Sequence, residues 1–336
     1  MIVDASDDGG AITVWHPAAP VFDPVARRIG ASGTEMWTWS PPKAPVNASL
    51  RGIAAVALGD GGAAIAVRNA AKLAADVEIA RLGATGQLQW QTTMYKLAPQ
   101  AARVALADAA TEIAMVVTFE SPSAPAMWVR KVTLSGELTP GVPVLGKWCK
   151  AAPQIAISTS GAIAATCAVG SAAGGTQVRT VLLGAQAASI VDTVHATLPS
   201  AVPTALAFHP QGDAILAVAR SSPYGTWPPT VDHELWILQE DGSVGAKVPL
   251  AMKLVSLRDE GSTVRGVGHA SQPSPGLYWA VTVSAAGKVE PLFEANNAAL
   301  TWTLHQAVAA VGQPAFWAAY VLPTGDYTIA RVGSCP

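Results

Sequence analysis

Short apolar runs recur along the whole chain, rich in Val, Ile, Thr, Trp and Ala and closed by Gly, Pro, Asp or Ser. Ala54 to Leu58, Ala63 to Val67 and Val77 to Leu82 alternate or run apolar throughout. They have the length and composition of β-strands, and no segment carries the period and end caps of a helix of about ten residues or more. The breaks between runs are themselves patterned. Asp8-Gly9, Asp60-Gly61, Asp108-Ala109, Ser160-Gly161, Gln211-Gly212, Glu260-Gly261 and Val311-Gly312 follow one another at spacings of roughly 50 residues. A second series falls between them: Ser32-Gly33, Thr85-Gly86, Ser135-Gly136, Asp241-Gly242 and Ala286-Gly287, with its glycine lost near Ala185-Gln186. Such pairs between apolar runs are hairpin signals, because glycine supplies the positive φ that tight turns require.

Longer stretches repeat at the same period. Asp8-Gly9-Gly10-Ala11 matches Asp60-Gly61-Gly62-Ala63, and Arg28-Ile29-Gly30-Ala31-Ser32-Gly33 matches Arg81-Leu82-Gly83-Ala84-Thr85-Gly86. The chain's last strand-like segment, Asp326 to Gly333, repeats Asp76 to Gly83. A period near 50 with about four strands per unit is the signature of a propeller. Seven copies of the first turn predict an all-β, seven-bladed β-propeller as one domain over 1–336, with blades at roughly 1–50, 51–100, 101–150, 151–200, 201–252, 253–300 and 301–336. The third strand of the last unit ends at Gly333, three residues before Pro336. The last blade is therefore expected to lack its own outer strand. Three arrangements are open: a three-stranded blade, a strand supplied from upstream of Met1, or a strand added by a partner chain.

The units Gly30-x-x-Gly33-x-x-x-Trp37 and Gly83-x-x-Gly86-x-x-x-Trp90 resemble the repeats of bacterial propellers, quinoprotein-like propellers among them. The match covers two units and part of a third; elsewhere Leu138-Thr139 and Val244 stand in its place. The resemblance implies either a dehydrogenase or a non-enzymatic scaffold of the bacterial envelope. No cofactor-binding residue carries over, and no cofactor is expected.

Composition narrows the function. Charged residues are 13% of the 336, about half the usual share, and Lys+Arg 21 against Asp+Glu 23 leaves a net charge of −2. Phosphate neutralisation needs a basic surplus, so nucleic acid is not an expected partner. The mean hydropathy of +0.32 suggests a membrane. Yet the stretches 151–178 and 295–325, which carry no Asp, Glu, Lys or Arg, are broken by Pro, Gly and polar clusters and cannot span as one helix. Met1 opens directly into a strand-like segment, with no basic region and apolar core of a signal peptide. A surface poor in Lys and Glu suits an exported protein, so export is expected, its signal missing from this sequence. Cys149, Cys167 and Cys335 lack metal-ligand spacing. Cys149 and Cys167 can form a bond if their strands are neighbours, or remain two buried thiols. Asn47-Ala48-Ser49 fits the glycosylation pattern.

Catalytic motifs are missing: there is no Gly-x-Ser-x-Gly elbow, His-Glu-x-x-His or phosphate loop. Long loops over a rigid scaffold carry function. The longest connection between second and third strands runs from Arg220 to His233 and holds Tyr224, Trp227, Asp232 and His233. Glu120–Met127 and His269–Leu277 follow in length. Tyr224 and Trp227 offer stacking faces for a glycan or peptide, or pack as a lid over the blade. His16, Arg68, Arg220 and His269 end the second strands at roughly equivalent positions. Together they can attract an anion; equally, Asp23, Asp76 and Asp232 are expected across the hairpins from His16, Arg68 and Arg220, as ordinary cross-strand pairs. On the opposite face Asp7, Asp8, Asp60, Asp108, Asp213, Asp259 and Glu260 are expected to be spread round a wide ring, serving turns rather than a shared ion. His209 and His305, near innermost strands, are possible channel ligands, but no metal site is assigned. The leading expectation is a non-enzymatic binding or scaffold propeller holding a protein or glycan on the long-loop face. A central-channel hydrolase, lyase or oxidoreductase is the alternative, with a strand-sharing assembly subunit as the third.

Overall fold

In a computed structural model of the chain, the glycine-bearing breaks become the tight turns of hairpins. The structure describes residues 2–15, 24–41, 49–70, 74–99, 103–119, 126–171, 174–185, 190–195, 200–210, 212–221, 231–260, 262–270, 277–296, 303–310, 315–321 and 327–333. Gly33, Gly86, Gly136, Gly242 and Gly287 all have φ between 75° and 94°, a region that costs other residues strain. Each closes a five-residue turn, such as Gly83 N–H to Gln87 O at 2.9 Å.

The strands between turns form seven antiparallel sheets, each a meander of consecutive strands. Blade 1 is β1 (Ile2–Ala5), β2 (Ala11–Trp15), β3 (Val25–Ile29) and β4 (Glu35–Trp39). Blade 2 is β5 (Ser49–Ala57), β6 (Ala63–Ala70), β7 (Ala74–Leu82) and β8 (Leu88–Pro99). Blade 3 is β9 (Arg103–Asp108), β10 (Glu112–Thr118), β11 (Met127–Thr133) and β12 (Val142–Val144). Blade 4 is β13 (Gln154–Ile157), β14 (Ile163–Gly170), β15 (Thr176–Leu183) and β16 (Ile190–His195). Blade 5 is β17 (Ser200–Phe208), β18 (Ala214–Ser221), β19 (Val231–Leu238) and β20 (Val244–Leu250). Blade 6 is β21 (Lys253–Asp259), β22 (Val264–His269), β23 (Leu277–Val283) and β24 (Val289–Asn296). Blade 7 has three described strands, β25 (Thr303–Ala309), β26 (Ala315–Val321) and β27 (Tyr327–Gly333). No helix occurs among the described residues.

Seven apolar clusters hold the sheets together, and each lies between two neighbouring blades. The sixth decides the architecture. Val3, Ala5 and Ala11 of blade 1 pack on Val308, Ala310, Ala315, Trp317 and Ala319 of blade 7. The Trp317 indole also donates to Gly9 O, at 3.0 Å, in the first turn of blade 1. The ring closes through side chains, and the chain is a seven-bladed β-propeller. Among the described residues, no strand from one end of the chain pairs into the sheet at the other.

The quoted repeat has a packing reason. A β-carbon placed on Gly86 would lie 2.8 Å from the Trp37 ring, and one on Gly136 would lie 3.3 Å from Trp90. Each outer-strand tryptophan therefore rests on the turn glycine of the next blade. Trp90 also donates its indole N–H to Leu134 O at 2.9 Å. Cationic side chains add a second set of ties. Lys131 bonds Glu112 at 2.8 Å and, in the next blade, Ala185 O at 2.8 Å. Arg81 bonds Asp60 in its own blade and Leu134 O in the next.

Cys149 and Cys167 are bonded, with Cα atoms 5.6 Å apart. An isolated bridge between Cys149 and Val169 brings the segment after β12 onto β14, so blades 3 and 4 are joined covalently. Cys335 and Asn47 lie outside the described residues.

Candidate functional site

The first strands of all seven blades line the axis of the ring. They can be laid in register by the backbone N–H that opens the following turn, at Ser6, Leu58, Ala109, Ser158, His209, Glu260 and Ala310. Two residues earlier stand Asp4, Val56, Ala107, Ala156, Ala207, Arg258 and Val308. One residue earlier stand Ala5, Ala57, Asp108, Ile157, Phe208, Asp259 and Ala309. Four charges thus break two otherwise apolar rows. They border a cavity of about 550 Å³ that takes lining from all seven blades and also includes Asp7 and Asp60 from the turns. The cavity sits at the end of the channel where the first strands enter their following turns.

Arg258 organises this mouth. From blade 6 it passes the first strand of blade 7 and reaches blade 1, donating to Ala5 O and to Asp7 Oδ1 at 3.1 Å, with Asp4 Oδ1 at 3.6 Å. Asp4 also accepts the Ala57 N–H of blade 2 at 2.7 Å. Burial works against the Arg258 charge, but Asp4, Asp108, Asp7 and Glu260 outweigh it and hold the guanidinium above its ordinary pKa. Burial raises Asp4, against the pull of Arg258 and of the Ala57 and Ala5 amides. Asp108 is displaced most. Desolvation by the cavity walls, opposed by Arg258 but reinforced by Asp4 and Asp7, pushes its carboxyl up to about 7. Desolvated and set beside Asp4 and Asp7, Asp108 is part-protonated near neutral pH, a perturbation found at functional clefts and also in structural ion-pair networks.

Asp7, Asp60, Asp108 and Asp259 border one cavity, because the first strands converge on the axis. Asp8 and Asp60 do serve their turns: each accepts a backbone N–H two residues on, from Gly10 and Gly62, and pairs with Arg28 or Arg81. Among the described residues no three His, Cys, Asp or Glu side chains are grouped to hold a metal. Sequence reasoning overlooked Asp4 and Arg258. Registering the seven first strands would have exposed them as charges in apolar rows.

The long-loop residues fall into three groups. Tyr224, Trp227, His16 and Asp23 lie outside the described residues, as do the side chains of Arg68 and His305. Asp232 and His233 were expected in the loop but belong to β19, which begins at Val231 and pairs with β18. Asp76 faces Asn69 rather than Arg68, whose partner is Val77; the hairpin register is one residue away from the expected pairing. Asp232 does face Arg220. Arg220 additionally pairs with Glu234, on the same sheet face. Burial works against the Glu234 charge, but the Trp236 indole, at 2.8 Å, and Arg220 outweigh it and hold its carboxyl low.

His233 is buried, and desolvation, with the nearby charges of Lys253 and His269, lowers its pKa against the pull of Asp232. The His269 Nδ1–H donates to Ala270 O at 3.0 Å, and its ring meets Tyr278 edge-on at 6.2 Å. The structure thus gathers His233, Lys253 and His269 between blades 5 and 6, while Arg220 is tied into blade 5. His209 is buried at the start of its turn, bonding Asp213 through the backbone.

Comparison with solved structures places this arrangement among known folds. The chain is similar to the β-propeller domain of the Trilobed protease from Pyrococcus furiosus, with TM-score 0.59 and 8% identity over 98% of this chain and 93% of that one. Hydrazine synthase of Kuenenia stuttgartiensis matches at 0.56 and 10%, covering 98% and 94%. Polysaccharide lyase Uly1 matches at 0.56 and 9%, covering 98% and 90%. Identities this low show a shared fold alone. No family model and no curated protein sequence matches the chain.

Proposed function

We propose that the chain is an exported binding propeller that holds a protein or glycan ligand through an amino or guanidinium group seated in the acidic mouth of its channel. The observation that carries this reading is the grouping of Asp4, Asp7, Asp60, Asp108 and Asp259 round one cavity with Arg258 among them. Five carboxyl groups against one guanidinium bias the cleft toward negative charge, and such a low-dielectric cleft focuses field lines, so a cationic group is drawn in. Binding such a group favours the ionised form of Asp108 and recovers part of the cost of keeping that carboxylate charged. The Cys149–Cys167 bond supports an oxidising compartment, where disulfides form and persist.

Calorimetric titration with spermidine, a lysine-rich peptide and a glucosamine oligomer, against a neutral maltose oligomer as control, tests the reading. The cationic ligands bind, and Asp108→Asn weakens them about tenfold at pH 8, equal to about 1.4 kcal/mol. Equal binding of the neutral sugar, or indifference to Asp108→Asn, overturns it.

A second reading rests on the same carboxyl. An acid with a pKa of about 7 in a cleft is matched to general acid–base work at neutral pH. In this reading the channel is an active site, of the hydrolase or lyase kind, with Asp108 moving the proton. A turnover screen separates the two: hydrolysis or elimination that Asp108→Asn abolishes while ligand affinity persists supports the enzyme.

A further inference from the structure

One part of the outer rim joins exposed apolar side chains to charge of a single sign. After β12 the chain runs through Leu145-Gly146-Lys147-Trp148-Cys149-Lys150, along the seam between blades 3 and 4. Leu145 is 73% exposed and Trp148 44%, while their neighbours Val144 and Cys149 are buried. Lys147 and Lys150 are exposed as well. The backbone of this segment is held at several points. Cys149 is bonded to Cys167, and the Lys150 N–H donates to Ala168 O at 2.7 Å. The buried Arg179 donates to Leu145 O and, at 3.0 Å, to Lys147 O. The two apolar side chains are thus kept at the surface by a fixed backbone.

Blade 4 extends this apolar surface. Arg179 faces Val194 across the sheet and bonds Asp192 at 2.8 Å, so the carbonyls it holds lie on the β16 face that carries Ile190, Asp192 and Val194. Alternate residues of a strand share a face, and here Ile190 is 50% and Val194 41% exposed. The charge around the patch is positive. Between Glu137 and Asp192 the chain has no Asp or Glu, and its cations there are Lys147, Lys150 and Arg179. Asp192 pairs with Arg179, which leaves the two exposed lysines to set the sign of the patch.

We propose that this patch docks on an anionic lipid surface, with Leu145, Trp148, Ile190 and Val194 entering the headgroup layer and Lys147 and Lys150 meeting the lipid phosphates. Charge complementarity and size both favour this occupant. Tryptophan rests at the headgroup level of a bilayer, aliphatic side chains enter its boundary, and each lysine beside them is attracted by an anionic leaflet. A bilayer receives protruding side chains without a matching surface. A stable protein interface takes about 20–30 residues on each side, far more than this patch holds. A glycan site needs polar groups placed round its apolar walls, and Leu145, Ile190 and Val194 supply none.

Cosedimentation of the whole chain with vesicles tests the proposal. Vesicles of phosphatidylcholine with about 30% phosphatidylglycerol are expected to bind about tenfold more tightly than vesicles of phosphatidylcholine alone. Salt at about 1 M, where the Debye length is about 3 Å, is expected to remove most of that difference. Leu145→Ser with Trp148→Ser, and separately Lys147→Gln with Lys150→Gln, are each expected to weaken binding about tenfold. All four side chains are exposed, so both double variants keep their Tm. Leu292→Ser, at an exposed apolar position of blade 6, is the control and keeps the parent's affinity. Three results overturn the proposal: no binding to the phosphatidylglycerol vesicles, equal binding to both kinds of vesicle, or binding indifferent to both double variants. In the first case, retention on immobilised polygalacturonate that Lys147→Gln with Lys150→Gln abolishes assigns the patch to an acidic glycan instead.

Discussion

Asp108→Asn is a direct probe of the channel mouth. The carboxyl titrates at about 7 in the folded chain against an ordinary 3.8, so the folded state holds its proton more tightly than the unfolded state does. Stability from this group is therefore complete below pH 3.8 and is lost progressively as pH rises to 7. At about 1.36 kcal/mol per pH unit the upper bound is about 4 kcal/mol, and screening by water in the open cavity brings the expectation to about 2–4 kcal/mol. Asparagine keeps the size and removes the charge. Arg258 retains Asp4 and Asp7 as partners, so the substitution strands no cation. Urea unfolding of both proteins from pH 4 to pH 8.5 reads the difference. The variant is expected to match the parent at pH 4, gain between pH 4 and 7, and stay about 2–4 kcal/mol more stable above pH 7. A constant difference across that range, or a variant less stable at pH 8.5, refutes the reasoning.

Three further perturbations test the ring. Trp317→Ala removes a buried ring and its bond to Gly9 O at the closure between blades 7 and 1, and is expected to cost about 3–5 kcal/mol in chemical denaturation. Arg179→Ala is expected to cost about 1–3 kcal/mol, because the buried guanidinium donates to Lys147 O at 3.0 Å as well as to the exposed Asp192 at 2.8 and 2.6 Å, and the carbonyl loses its donor. Arg179→Lys should rescue little, because the ammonium lacks the planar fork. Reducing Cys149–Cys167, which closes 18 residues, is expected to cost about 3 kcal/mol, read as a lower Tm in dithiothreitol that Cys149→Ser reproduces without it.

The periodic features of the fold were readable in sequence because hairpin turns have local chemistry. Glycine takes the positive φ of a tight turn without strain, so Gly33, Gly86, Gly136, Gly242 and Gly287 mark their blades without any knowledge of what packs where. The three described strands of blade 7 agree with the same count. The channel mouth was harder to see because its members are scattered through the chain. Asp4, Asp108 and Arg258 meet only when seven first strands converge, and Asp108 looks in sequence like one more turn residue. The cross-strand pairs depended on register. Asp232 faces Arg220 as expected, but one residue of slip puts Asn69 opposite Asp76. The role of Trp37 and Trp90 in the repeat also needed three dimensions, since each tryptophan rests on a glycine about 50 residues further along the chain.

The most direct measurement is the titration of the Asp108 side-chain carboxyl by carbon-13 NMR, in the free chain and with saturating spermidine. The account predicts a midpoint near 7 without ligand and a lower one with it, because a bound cation favours the carboxylate. A midpoint near 4 in the free chain, unmoved by spermidine, would contradict it.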